Sequence, residues 1–123
     1  MPSDSLATPV LEIGGTHVTA ALVELYDADA TVPVSVRLPL DAAAPADAIL
    51  DTLADAARAL GDLPGELWGV ATPGPFDYDR GIARFAGVGK FDALNGVDVG
   101  AALAERLAPA PPFPSFVFLN DAA

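Results

Sequence analysis

Cysteine is absent from this 123-residue chain, and histidine occurs once. Without thiols there are no disulfides and no thiolate chemistry, and a single imidazole cannot build the usual Cys/His zinc sites. Positive charge is also scarce: 6 Lys plus Arg stand against 17 Asp plus Glu, a formal net charge of -11. That balance argues against nucleic acid and against an anionic membrane surface as partners. A nucleotide stays compatible if backbone amides and a metal ion hold it rather than a cationic pocket. No apolar run approaches the roughly 18 residues that span a bilayer, and the first residues do not read as a secretory signal. The default expectation is a soluble, cytoplasmic protein.

What the chain does have is apolar surface to bury, with 52% hydrophobic residues. At this length that supports one domain with a real core and no second one. Residues 1–8 are polar and read as a flexible N-terminus to a domain over 9–123. Pro9 to Ile13 and Val18 to Leu25 read as strands joined by Gly14-Gly15-Thr16, and Val32 to Leu40 as a third. In "APADAILDTLADAARALGD" the period changes. Ile49, Leu50, Leu53, Ala57 and Leu60 share one helical face, with Pro45 at the start and Gly61 at the stop. Leu67 to Ala71 is a short apolar run, the mark of a strand covered on both faces. A long Pro/Gly-rich stretch follows, with Asp79-Arg80-Gly81 as a tight turn; loops of this length are usually functional or disordered. Asp98 caps a second helix to Leu107, and Phe116 to Leu119 is the last strand. The order β-β-β-α-β-α-β predicts an α/β domain, an antiparallel meander extended by parallel strands through right-handed crossovers.

Four short motifs carry possible chemistry, each with a plainer explanation. Glu12-Ile13-Gly14-Gly15-Thr16 is first of all a hairpin turn. Alternation, however, turns Glu12 away from Leu11 and Ile13, glycines admit phosphate oxygens to backbone amides, Thr16 adds a hydroxyl, and an acidic neighbour can hold Mg2+ through water. Ala71-Thr72-Pro73-Gly74-Pro75 simply ends a strand, yet ligands of α/β sheets sit beyond the carboxyl ends of strands. Lys90, in Gly87-Val88-Gly89-Lys90-Phe91, is a solvated charge or a donor pointing into the cleft. Asn120-Asp121 is a helix cap, or a carboxylate poised to accept a proton from a substrate hydroxyl. His17 has no partner cluster and reads as an exposed or half-buried strand residue. Trp68 and the phenylalanines read as core or loop packing.

Taken in order, "LEIGGTHVTAALV", "GVATPGPFDYDRGIARFAG" and "FVFLNDAA" resemble the N-terminal domain of the ROK family (repressor, open reading frame, kinase). Its members are sugar kinases and related repressors of the actin/hexokinase/Hsp70 superfamily. "GVGKFDALNGVDVGAAL" is similar to a hexokinase loop whose lysine contacts sugar. The resemblance covers nearly the whole chain. It implies a ribonuclease-H-like (actin-like ATPase) fold: a mixed five-stranded sheet, with a three-strand antiparallel meander plus two parallel strands and helices on both faces. It also implies ATP-dependent phosphorylation of a hexose hydroxyl, glucokinase-like, with ATP and Mg2+ as cofactors. Asp121 would be the general base; Pro73, Gly74, Lys90 and Asn120 would contact the sugar. Gly14, Gly15 and Thr16 would cradle ATP phosphates, with Glu12 near Mg2+.

Two departures stand out. The family's usual Asp is Glu12 here, one methylene longer, and a misplacement near 1 Å can cost about 10²-fold. The second lobe of the family, with its adenosine site and remaining sugar contacts, has no counterpart in these residues. The expectation is therefore an N-terminal lobe that is inactive by itself and completed by a missing C-terminal lobe. A sugar-sensing regulator without a DNA-binding domain is the alternative. A third is an interaction domain whose open face meets a partner or a second copy in a homo-oligomer.

Overall fold

The computed structural model describes residues 7–24, 34–61, 63 and 66–120. Strand β1 (Ala7–Ile13) buries Leu11 and Ile13 and exposes Glu12 between them, as a pleated backbone of period 2 requires. The turn at Gly14–His17 is closed by the Gly14 N–H donating to the His17 carbonyl at 2.8 Å. Strand β2 (His17–Glu24) returns antiparallel to β1, with Ile13 opposite Val18 and Glu12 opposite Thr19. Strand β3 (Val34–Pro39) pairs antiparallel with β2 and completes the meander. The expected residues Leu25, Val32 and Pro33 lie outside the described ones.

Helix α1 (Ala46–Arg58) starts after an extended Pro45 and buries Ile49, Leu50, Leu53, Ala54, Ala56 and Ala57. Strand β4 (Leu67–Thr72) then pairs parallel with β1. The Pro/Gly-rich stretch is ordered rather than open loop. It forms a hairpin of β5 (Phe76–Asp77) and β6 (Ile82–Ala83), followed by a 3₁₀ turn over Asp92–Leu94. Two-residue strands are too short to show a period, so local pattern marked only the turn between them, and the hairpin itself was implied by the resemblance of this segment to the ROK family's. Helix α2 (Val99–Leu107) is capped as expected, the Asp98 carboxylate accepting from the Ala101 N–H at 2.9 Å. Strand β7 (Ser115–Asn120) pairs parallel with β4.

The five-stranded sheet has the order β3-β2-β1-β4-β7, and β5-β6 form a separate pair. Because β2 is antiparallel to both its neighbours, β3, β1, β4 and β7 all run the same way. Their carboxyl ends, Pro39, Ile13, Thr72 and Asn120, therefore lie along one end of the sheet.

The expected mixed sheet is present, but one detail differs: the two described helices share a face. They pack against each other and, with Leu11, Val18, Ala20, Trp68, Val70 and Phe118, close one core. The connection β3-α1-β4 and the connection β4-α2-β7 step across the sheet in the same direction. Two crossovers of one hand that progress the same way must place their helices on the same side. On the other side Leu67 (54% exposed), Val117 (48%) and Leu119 (60%) face outward, and no described helix covers them.

An arginine joins the helices. Arg106 on α2 pairs with Asp51 at 2.9 Å and Asp47 at 3.2 Å on α1, and Arg58 on α1 donates to the Arg106 carbonyl at 2.7 Å. Both aspartates are largely exposed, so solvent screens the pairs. Replacing Arg106 with Gln is expected to cost no more than about 1 kcal/mol, with the deficit shrinking at high salt. Thermal unfolding at two salt concentrations measures it.

Candidate functional site at the carboxyl end of the sheet

Every described residue singled out for ligand contact comes from a turn or loop beyond these strand ends, or from the ends themselves. The Gly14–His17 turn follows β1. A methyl group built on Gly14 would lie 3.3 Å from the His17 carbonyl oxygen, whereas one on Gly15 would meet nothing within 4 Å. A side chain at Gly14 would thus crowd the tight return, and the space over Gly15 is open. Thr16 is exposed, and its carbonyl accepts from the Leu40 N–H at 2.8 Å, which ties the turn to the end of β3. Glu12 is exposed on the face away from the helices.

Pro73 and Gly74 leave the end of β4, and the parallel register sets Thr72 beside Asn120 at the end of β7. Asn120 is exposed; Asp121, the expected base, lies outside the described residues. The Pro-Gly-Pro segment is held from below by Tyr78, whose hydroxyl donates to the Thr72 carbonyl at 3.3 Å. A methyl group on Gly74 would come within 3.1 Å of the Tyr78 hydroxyl oxygen. Phe76 links Tyr78 (ring centroids 5.3 Å apart) to Phe118 on β7 (5.1 Å), so aromatic packing fixes one strand end relative to the next.

Lys90 is exposed on a loop anchored at both ends. The Asp92 carboxylate accepts from the Val88 and Gly89 N–H groups at 3.1 and 3.0 Å. Phe91, fully buried, takes a left-handed φ of 58° and donates its N–H to the Ala42 carbonyl at 2.8 Å. Backbone bonds thus run from the Gly14–His17 turn through Leu40–Ala42 to the Lys90 loop. The Arg84 N–H donates to the Pro75 carbonyl at 3.2 Å, which brings the Pro-Gly-Pro loop into the same neighbourhood.

Charge at this end is unbalanced in a way composition hides. Arg58, Arg80 and Arg106 have carboxylate partners within 4.0 Å. Among the described residues Arg37, Arg84 and Lys90 make no such pair, and all three belong to segments at the strand-end rim. Nearby Asp41, Asp92 and Asp98 spend carboxylate oxygens on backbone N–H groups of Ala43, Val88 and Ala101. Arg37, Arg84 and Tyr78 escaped the sequence reading. Their one available signal was the rarity of cations, since nothing local marks a strand arginine as functional.

Among the described residues no group of three or more metal-ligating side chains meets. Among the described strand residues Glu12 alone offers a carboxylate on the face away from the helices, a donor set that fits Mg2+ carried on phosphates and waters rather than caged by protein. A concavity of about 480 Å³ lies elsewhere, at the amino end of β4, between Trp68, Leu107 and Pro111–Pro114.

Burial raises the Tyr78 phenol above its ordinary value of 10.0. It therefore stays a neutral donor throughout the physiological range. The folded state holds this proton more tightly than the unfolded chain, so its contribution is intact below pH 10 and fades as pH rises through the folded value. Alkaline unfolding curves of wild type and Tyr78→Phe are expected to converge above that pH, and denaturant titrations measure it.

No family profile matches the chain, and no curated protein sequence matches it. Solved structures do match. The inorganic polyphosphate/ATP-glucomannokinase of Arthrobacter sp. strain KM superposes with a TM-score of 0.70 at 23% identity, over 94% of this chain and 45% of its own. A ROK family glucokinase from Streptomyces griseus, solved with glucose and AMPPNP, gives 0.67 at 21% over 94% of this chain and 33% of its own. A ROK family transcriptional regulator, a homolog of the E. coli MLC protein, gives 0.68 at 15% over 96% of this chain and 28% of its own. The chain therefore spans less than half the length of these proteins. At these identities the likeness establishes the fold: that of the N-terminal domain of ROK proteins.

Proposed function

We propose that this chain, with the ROK N-terminal fold, is the lobe of an ATP-dependent hexose kinase that carries the acceptor sugar and the phosphate-binding turn. The observation that supports it best is the clustering at one sheet end. The open space over Gly15, the Pro73-Gly74 turn, the Thr72–Asn120 pair and the three cations without carboxylate partners among the described residues all belong to segments there.

In this reading the sugar lies against Pro73, Gly74 and Asn120, with Lys90 donating to a hydroxyl. Asp121 accepts the proton of the attacking hydroxyl, a role typically worth about 10²–10⁴-fold. The Gly14–Thr16 turn receives the ATP phosphates, through the Gly15 and Thr16 amides while the Gly14 N–H holds the turn closed; their charge needs no covalent help but does need positioning and neutralisation. Mg2+, held by Glu12 through water, would supply part of that neutralisation. The other wall of the site comes from polypeptide beyond these 123 residues, and closure against it excludes water. Alone, the chain binds hexose weakly and does not turn over.

Glucose titrated into the 123-residue chain is expected to shift the amide resonances of Gly74, Lys90 and Asn120. ADP release from ATP plus glucose should stay at background. Glucose that leaves all three amides unmoved would remove the sugar assignment. A regulator is the second reading, favoured by Glu12 where the family pattern has Asp and by the regulator among the structural neighbours. In a form of the protein that includes the second wall, that reading requires glucose binding without turnover.

A further inference from the structure

Arg37 stands on β3 opposite Thr19, which in turn stands opposite Glu12 on β1. Thus Glu12 and Arg37 share the outward face and bracket Thr19, separated by two strand spacings, roughly 9–10 Å. The Arg37 guanidinium reaches His17, its Nη2 lying 3.3 Å from Nδ1, and the Thr16 hydroxyl lies 2.9 Å from the same nitrogen. An arginine can only donate, so Nδ1 is the acceptor, the Thr16 hydroxyl also donates to it, and the ring proton sits on Nε2. His17 therefore holds the guanidinium beside the Gly14–His17 turn. Arg37 is exposed and has no carboxylate within 4.0 Å among the described residues. A planar fork of N–H donors beside an open glycine turn matches the oxygens of a phosphate chain.

We propose that Arg37, positioned by His17, closes the Gly14–Thr16 turn into a clamp for a condensed phosphate chain, with Arg37 as a direct ligand of one phosphate group. The clamp rests on the reading that this turn receives phosphates, and it adds the side chain that supplies charge there. Glu12 lies across the same face, so an incoming phosphate chain meets a carboxylate on one flank and a guanidinium on the other. That polarity sets the direction of the chain: its metal-bearing part toward β1 and its bare anionic oxygens toward β3.

The test is titration of the 123-residue chain with sodium triphosphate at low ionic strength, following the Gly15 and Thr16 amides and the His17 imidazole by NMR. Saturable shifts at these three residues are expected. Arg37→Gln should weaken the affinity about tenfold, as loss of a charge-assisted fork does. Arg37→Lys should recover only part of it, because an ammonium lacks the fork. Arg80→Gln makes the same charge change at an arginine paired with Asp77 and should stay within about twofold of wild type. His17→Leu should weaken binding about threefold and broaden the Arg37 side-chain resonance, which a merely structural role would leave unchanged. ATP should bind as triphosphate does, and adenosine should not bind. Absence of saturable triphosphate binding, equal affinity for wild type and Arg37→Gln, or binding that needs the adenosine moiety would each overturn the clamp. The glucose titration reads different amides, so failure on the sugar side and failure of the clamp are seen separately.

Discussion

Replacing Gly81 with alanine is expected to lower the melting temperature by about 10–15 °C, the largest loss from an alanine at any of the described glycines. Gly81 takes φ of 74° in the turn of the β5-β6 hairpin, where its N–H donates to the Asp77 carbonyl at 2.8 Å. A left-handed backbone costs an L-residue roughly 1–2 kcal/mol. In addition, the new Cβ would sit 2.7 Å from Cε2 of Phe118, a contact that real structures do not tolerate. Phe118 cannot move freely, because it is buried and packs on Phe76 and Phe116. Overpacking of this kind adds about 1–3 kcal/mol, and each kcal/mol shifts the midpoint of a domain this size by several degrees.

Two comparisons isolate the causes. Gly87 has a similar φ of 69° but open space around it, so Gly87→Ala should show the backbone cost alone, about 1 kcal/mol. Phe118→Leu shortens the ring that Gly81→Ala would strike. The double variant should therefore lose at least about 1 kcal/mol less than the sum of the singles. Calorimetry of the four proteins decides it, and strict additivity would show that contact with Phe118 is not the cause. The hairpin carries Tyr78 and follows the Pro-Gly-Pro loop, so the same substitution should also weaken glucose binding.

Replacing Asp121 with asparagine should reduce phosphoryl transfer by about 10²–10⁴-fold, in a form of the protein that includes the second wall of the site. The substitution is chosen because Asn and Asp cap helices about equally well. If Asp121 only started a helix, stability and activity would both survive the exchange. If it accepts the hydroxyl proton, the melting temperature stays within a degree or two, the KM for hexose stays within a few-fold, and kcat falls. Steady-state kinetics beside a thermal melt separates these outcomes.

The sheet was legible because its strands obey a simple period. Leu11 and Ile13 flanking Glu12, and the apolar run from Leu67, specify pleated segments without reference to anything distant. The spacing of Ile49, Leu53 and Ala57 marked α1 just as locally, and Asp98 announced α2 through its own carboxylate. The β5-β6 hairpin was visible only through the family resemblance of its segment, because its strands are two residues long and its order comes from outside itself, from Phe118, Val97 and Val99. The side taken by the helices escaped, since it depends on the direction in which successive crossovers step.

For the candidate site the division is sharper. The residue types that ligands require, Gly14-Gly15-Thr16, Pro73-Gly74 and Asn120, stand in the sequence as turns and strand ends, because turn chemistry is local. Lys90 could be singled out there by its glycine-rich loop, but the arginines that stand near these turns could not. Arg37 is 21 residues from Thr16 along the chain, yet shares the His17 imidazole with it. Arg106 is no different in kind, but tertiary packing sets it against Asp47 and Asp51 and so takes it out of use. Composition determined that this protein has few cations to offer. Only the parallel alignment of β3, β1, β4 and β7, which carries four distant chain segments to one end of the sheet, decided where those without a carboxylate partner among the described residues would stand.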